Sequence, residues 1–189
     1  MTAQPQTAPS PTKVITGKCR GSYVNVFQPR HNNLNGKEEY SLTLLIPKSD
    51  KATVAAIHAA CTAAADAKWG TKKPPRVDMP MRDGDGERPR GGPYPEEYAE
   101  HWVVNAKSTQ PPGVVDIKLQ DVIDPLAFIS GDYCRASLNF YAYDQSGNRG
   151  VGCGLNNLQV VAKGDPLSSR ARAVDDFTGL ADTTDDAPW

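Results

Sequence analysis

Residues 133–143, YCRASLNFYAY, alternate without a break, with Cys134, Ala136, Leu138, Phe140 and Ala142 on one side and Tyr133, Arg135, Ser137, Asn139, Tyr141 and Tyr143 on the other. A period of two is the repeat of a β-strand, whose successive side chains point to opposite faces. The small and apolar set is a core face. The second set offers rings, a cation and an amide, and faces solvent, a ligand, the long loop described below or a second copy in a homodimer. Residues 145–150, QSGNRG, form a hairpin-type turn, and 152–162 supply the strand that closes the sheet.

Upstream, residues 13–27 read as one long strand with a change of phase at Gly21. A one-residue bulge at Gly21 or Ser22 puts Ile15, Cys19, Val24 and Val26 on the core side and leaves Lys18, Arg20, Tyr23, Asn25 and Phe27 outward. Residues 28–39 read as a polar turn. Leu42, Leu44 and Ile46 recur at period two in a second strand that stops at Pro47. Ser49 or Asp50 caps a helix with Val54, Ile57, Cys61 and Ala64 or Ala65 along one stripe, ending near Trp69 and Gly70. Residues 71–95 hold six prolines, several glycines and six basic side chains, a composition that builds no core of its own and predicts a long loop laid beside the sheet. After a helical turn at 96–99, residues 102–106 and 114–123 read as strands. Several short strands with one helix predict a mainly β chain: an OB-fold Greek-key β-barrel with one inserted α-helix, a long Pro/Gly/Arg-rich loop and disordered termini. The expected boundaries are an N-terminal arm at 1–12, one domain at 13–167 and an acidic tail at 168–189.

Composition removes several classes of function. No apolar run reaches the roughly 20 residues that span a bilayer, and 1–12 carries no charge and no signal-like core, so a soluble, intracellular protein away from membranes is expected. Cys19, Cys61, Cys134 and Cys153 contain no Cys-x-x-Cys pair, which leaves them as small core residues and predicts no metal. The glycines of 147–154 lack the Gly-Lys-Ser/Thr of a phosphate loop. Asp83, Asp85 and Glu87 imitate the start of a calcium loop, but Arg88 stands where that loop needs glycine. His31, His58 and His101 have no nucleophile or ligand partner at a useful spacing. No catalytic constellation emerges, so the expected protein is not an enzyme and needs no cofactor. The competing readings are a metal-dependent nuclease using Asp83, Asp85, Glu87 or Asp116, and a virion or assembly protein whose tyrosines form an interface.

The formal charge of −1 conceals an asymmetry: residues 1–173 hold 21 basic against 17 acidic groups, while 174–189 hold five aspartates and no lysine or arginine. Single-stranded nucleic acid is bound by rings that stack on bases and cations that neutralise phosphates. The candidate contacts are Lys18, Arg20, Tyr23, Phe27, Arg135, Tyr141 and Tyr143, with Arg76, Arg82, Arg88 and Arg90 added by the loop. The tail, with Asp175, Asp176, Asp182, Asp185, Asp186 and the aromatic Trp189, suits a partner's apolar pocket rimmed by cations. Its aspartates also resemble phosphates, so it can occupy the body's own groove until DNA displaces it.

The run ISGDYCRASLNFYAYDQSGNRGVGCGLNNLQVVAKGDPL at 129–167, with HWVVNAKSTQPPGVVD at 101–116, resembles the phage single-stranded DNA-binding proteins. The resemblance covers roughly residues 16–167. It implies an oligonucleotide-binding fold, sequence-independent binding of single-stranded DNA, and a role in phage replication and recombination. It also implies that the acidic tail docks on replication or recombination proteins. Such tails usually end in Phe; Trp189 departs from that pattern.

Overall fold

The alternation at 133–143 lies within a strand of 13 residues, one of eight in the computed structural model, which describes residues 10–33, 36–145 and 147–167. The strands are β1 (Lys13–Ile15), β2 (Cys19–Asn32), β3 (Lys37–Pro47), β4 (Met81–Asp83), β5 (His101–Ser108), β6 (Gly113–Val115), β7 (Tyr133–Gln145) and β8 (Asn148–Ala162). The helix α1 (Lys51–Trp69) follows β3. The acidic segment carrying Asp175, Asp176, Asp182, Asp185, Asp186 and Trp189 lies outside the described residues.

Antiparallel pairing joins β2 to β3, β3 to β5, β8 to β7 and β7 back to β2. A parallel bridge between Lys107 and Gly154 joins β5 to β8 and closes the ring. A closed ring of antiparallel pairs with one parallel seam is the predicted oligonucleotide-binding barrel, and closure leaves those strands without open edges. Its interior holds Leu42, Leu44 and Ile46 from β3, Val104 and Ala106 from β5, and Leu138 and Phe140 from β7, all fully buried. The cysteines join this core, Cys19 facing Cys134 across β2 and β7 with the sulfurs 3.9 Å apart. Asp50 caps α1 by accepting from the Thr53 amide at 3.0 Å, and Ile57, Ala60, Cys61 and Ala64 pack the helix onto the barrel.

Four expectations are corrected. The strand expected at 13–27 is broken at 16–18, and Val14 rather than Ile15 enters the core; Ile15 is 69% exposed. The irregularity in β2 falls after Ser22, with Tyr23 in the left-handed region at φ 47°, so the phase change lands two residues past Gly21. Residues 28–39 are a turn only at the tip, since β2 and β3 continue as a paired ribbon to Asn32 and Lys37. The strand expected at 114–123 ends at Val115; Asp116 then accepts from the amides of Lys118 and Gln120, folding the chain back and leaving Ile117, Leu119 and Ile123 exposed. An alternating sequence cannot announce that reversal, because Asp116 performs it through its side chain.

The long loop does lie on the barrel. β4 pairs with β5, Asp78 bridges to Gly150 of β8, and Val77 and Met81 pack against the core. The loop thereby covers the flank where β5 and β8 share only one bridge.

Candidate nucleic-acid interface

The outer face of β3 and β5 is the natural platform of this fold. At one end Leu45 and Val103 are buried beneath Tyr98, so the loop covers them. Next along the strands Thr43 donates to Asn105 at 2.7 Å, and the face opens. The opening is a cleft lined by Thr43 and Asn105 below, Tyr23 of β2 to the side, and Arg88, Arg90, Tyr94 and Tyr98 of the loop.

Short-range structure holds the loop side of this cleft. Glu87 bridges to Pro93, the Arg88 amide donates to the Gly92 carbonyl at 2.9 Å, and the turn passes through Gly91 and Gly92 at φ 87° and 78°. Two successive positive φ values are adopted most readily by residues that lack a Cβ. Arg88, Pro89 and Arg90 are therefore carried on a tight turn at the cleft's rim. Tyr98 shares a hydrogen bond of 2.8 Å with the Ser22 hydroxyl, and burial pushes its own hydroxyl above the ordinary tyrosine range. Tyr94 stacks on it with centroids 5.5 Å apart and planes 13° from parallel.

Asn105 and Lys107 share the outer face of β5, and a second hollow lies where Lys107, ion-paired to Glu39 at 3.2 Å, meets Asn139 and Tyr141 of β7. Tyr141 and Tyr143 share the outer face of β7, and Tyr143 lines a further hollow with Arg76, Asn148 and Arg149. The two rings lie across β8 opposite Gly152 and Gly150. A Cβ on Gly152 would stand 2.5 Å from the Tyr141 ring, and one on Gly150 would stand 2.5 Å from the Tyr143 hydroxyl. The glycines of β8 thus make room for the rings, a role beyond that of a turn.

The sequence candidates separate into groups. Tyr23, Arg88 and Arg90 converge in the first cleft, and Arg76 joins Tyr143 in the third hollow, with Tyr141 between them. Lys18 and Arg20 sit over the Tyr133 ring at 5.1 and 5.9 Å, and Arg20 donates to the carbonyls of Gly131 and Asp165. Arg135 donates to Gln159 at 3.0 Å, and Arg82 pairs with Asp78 at 2.5 Å. Phe27 packs against the core and lines a separate groove with Phe128 and Ile129. Sequence reasoning passed over Tyr94 and Tyr98, although two tyrosines in a proline-rich loop were a usable signal, and over Thr43, Asn105 and Lys107, which alternate outward on their strands.

Two of the acidic residues that suggested a metal site, Asp83 and Asp85, are engaged by a lysine. Lys48 reaches Asp83 at 2.6 Å and Asp85 at 2.5 Å, which raises its own pKa and lowers both carboxyls. An ammonium therefore sits between the two carboxylates. Among the described residues no cluster of three or more His, Cys, Asp or Glu side chains could hold an ion.

The family model described as the single-stranded DNA-binding protein of Enterobacter phage Enc34 matches residues 12–188. The chain belongs to this family. A relative within curated proteins, the protein p50 of Acyrthosiphon pisum secondary endosymbiont phage 1, is 27% identical over 181 residues, covering 89% of this chain and 94% of its own. Among solved structures, the single-stranded DNA-binding protein of bacteriophage Enc34 in complex with single-stranded DNA superposes with a TM-score of 0.72 at 19% identity, over 83% of this chain and 90% of that one. The single-stranded DNA-binding protein gp2.5 of bacteriophage T7 superposes with a TM-score of 0.58 at 16% identity, over 94% and 98%. At such identities the structural likeness establishes the fold. The predicted barrel and the family resemblance both stand.

Proposed function

We propose that this chain binds single-stranded DNA without sequence preference, as a non-enzymatic component of phage DNA replication or recombination. The observation that carries the reading is the cleft on the β3 and β5 face, where Tyr23 and Tyr94 supply rings and Arg88 and Arg90 supply cations. From there the strand follows Lys107 to Tyr141, Tyr143, Arg76 and Arg149, reaching the hairpin between the last two barrel strands, where this fold commonly contacts oligonucleotides. A path of rings and cations suits binding by stacking and phosphate neutralisation. Family membership supports the same ligand. The acidic 174–189 segment docks on partner replication proteins and competes with DNA for the basic path.

The test is fluorescence anisotropy of a labelled oligo-dT at low and moderate salt, with an equal-length duplex as competitor. Tight, salt-sensitive binding that the duplex competes for poorly is expected. No binding by the full chain or by a chain lacking 174–189 removes the reading. A nuclease would degrade the oligonucleotide in magnesium, whereas the expected oligonucleotide stays intact.

A further inference from the structure

We propose that the stacked pair Tyr98 and Tyr94 is a base-stacking subsite, in which Tyr94 takes one unpaired nucleobase while Arg88 and Arg90 hold the flanking phosphates. This rests on the single-stranded DNA reading above and names the subsite that Tyr141 and Tyr143 do not supply. Tyr98 is buried, its ring fixed by the hydrogen bond to Ser22 and by packing on Leu45 and Val103. The stack reaches the cleft at Tyr94, which is only partly buried. Pro93 and Pro95 flank Tyr94, and Pro93 is bridged to Glu87, so its backbone has little freedom left to lose. An offset aromatic stack extends readily by another ring, and a base offers a π-face whatever its identity. Preorganisation of both tyrosines removes the ordering cost that a mobile loop residue would carry on binding. The arginines belong to the small turn that directly precedes Tyr94, so ring and cations line the same cleft. A base inside a duplex is stacked on both faces and cannot enter.

The experiment separates stacking from charge by comparing oligo-dT with a strand of equal length built from abasic residues. Tyr94→Leu keeps apolar bulk and removes the π-face; it should weaken oligo-dT binding roughly 5- to 150-fold, the range for one base stack, and leave the abasic strand's affinity at the wild-type value. Tyr94→Trp should bind oligo-dT at least as well as the wild type. Equal affinity of Tyr94→Leu and wild type for oligo-dT, or an equal loss on both strands, overturns the subsite while the wider reading survives. A second measurement needs no variant: ultraviolet cross-linking of wild-type protein to an oligonucleotide carrying 5-iododeoxyuridine, with peptide mapping. An adduct on Tyr94 is expected, and adducts confined to Tyr141 and Tyr143 overturn the proposal. Absence of any oligo-dT binding by the wild type overturns both readings, a result distinct from a failure of Tyr94 alone.

Discussion

At the scale of single residues, small side chains do more than fill space. Gly152 is the partner of Tyr141 across β7 and β8, and a valine there would drive its Cβ into the ring. Tyr141 is half exposed and meets that Cβ with the far end of its ring, so Gly152→Val is expected to push the ring aside and leave the melting temperature nearly unchanged. It should also weaken oligo-dT binding several-fold by displacing Tyr141; unchanged affinity in the folded variant removes that ring from the path. The buried cysteines give a second residue-scale expectation. Burial pushes the Cys61 thiol up from 9.0 to about 11. An unfolded chain ionises this thiol first, so the raised folded pKa leaves stability intact below pH 9.0 and erodes it as pH climbs toward about 11. Thermal melts from pH 8 to 11 should show a steeper decline for the wild type than for Cys61→Ala, and parallel curves contradict it.

Elements set where the cations stand. The turn from Glu87 to Pro93 carries Arg88 and Arg90, while β3 and β5 supply the floor beneath them. If each arginine neutralises one phosphate, replacing either with Ala lowers the magnitude of the log-log salt slope by about 0.7, and replacing both lowers it by about twice that. Titrations of oligo-dT at several salt concentrations measure it, and an unchanged slope in the double variant places the phosphates elsewhere. Arg20 is expected to behave differently. It donates to the carbonyls of Gly131 and Asp165, so Arg20→Ala should cost stability more than salt dependence. The element-scale features were only half legible beforehand. Period-two patterning located β3, β5 and β7, but the loop's arrangement follows from Gly91 and Gly92 at positive φ and from bridges to Pro93 and Gly150, contacts that local composition does not encode.

For the whole molecule, charge is divided between a basic body and an acidic end. If the segment acts as proposed, deleting 174–189 tightens oligo-dT binding and abolishes docking on replication proteins, checked by anisotropy and by pull-down against purified phage replication proteins. Weaker DNA binding after the deletion would falsify the competition. The barrel, its helix and its family were readable from sequence because each rests on local signals: alternation at 133–143, the cap at Asp50, and the quoted run at 129–167. Barrel closure through Lys107 and Gly154, the placement of Tyr141 and Tyr143 over glycines, and the union of Tyr23, Arg88, Arg90 and Tyr94 in one cleft were decided by tertiary structure. The physical reason is range: periodicity and capping act over a few residues, whereas a binding cleft is assembled from positions more than sixty residues apart that meet only once the sheet has closed.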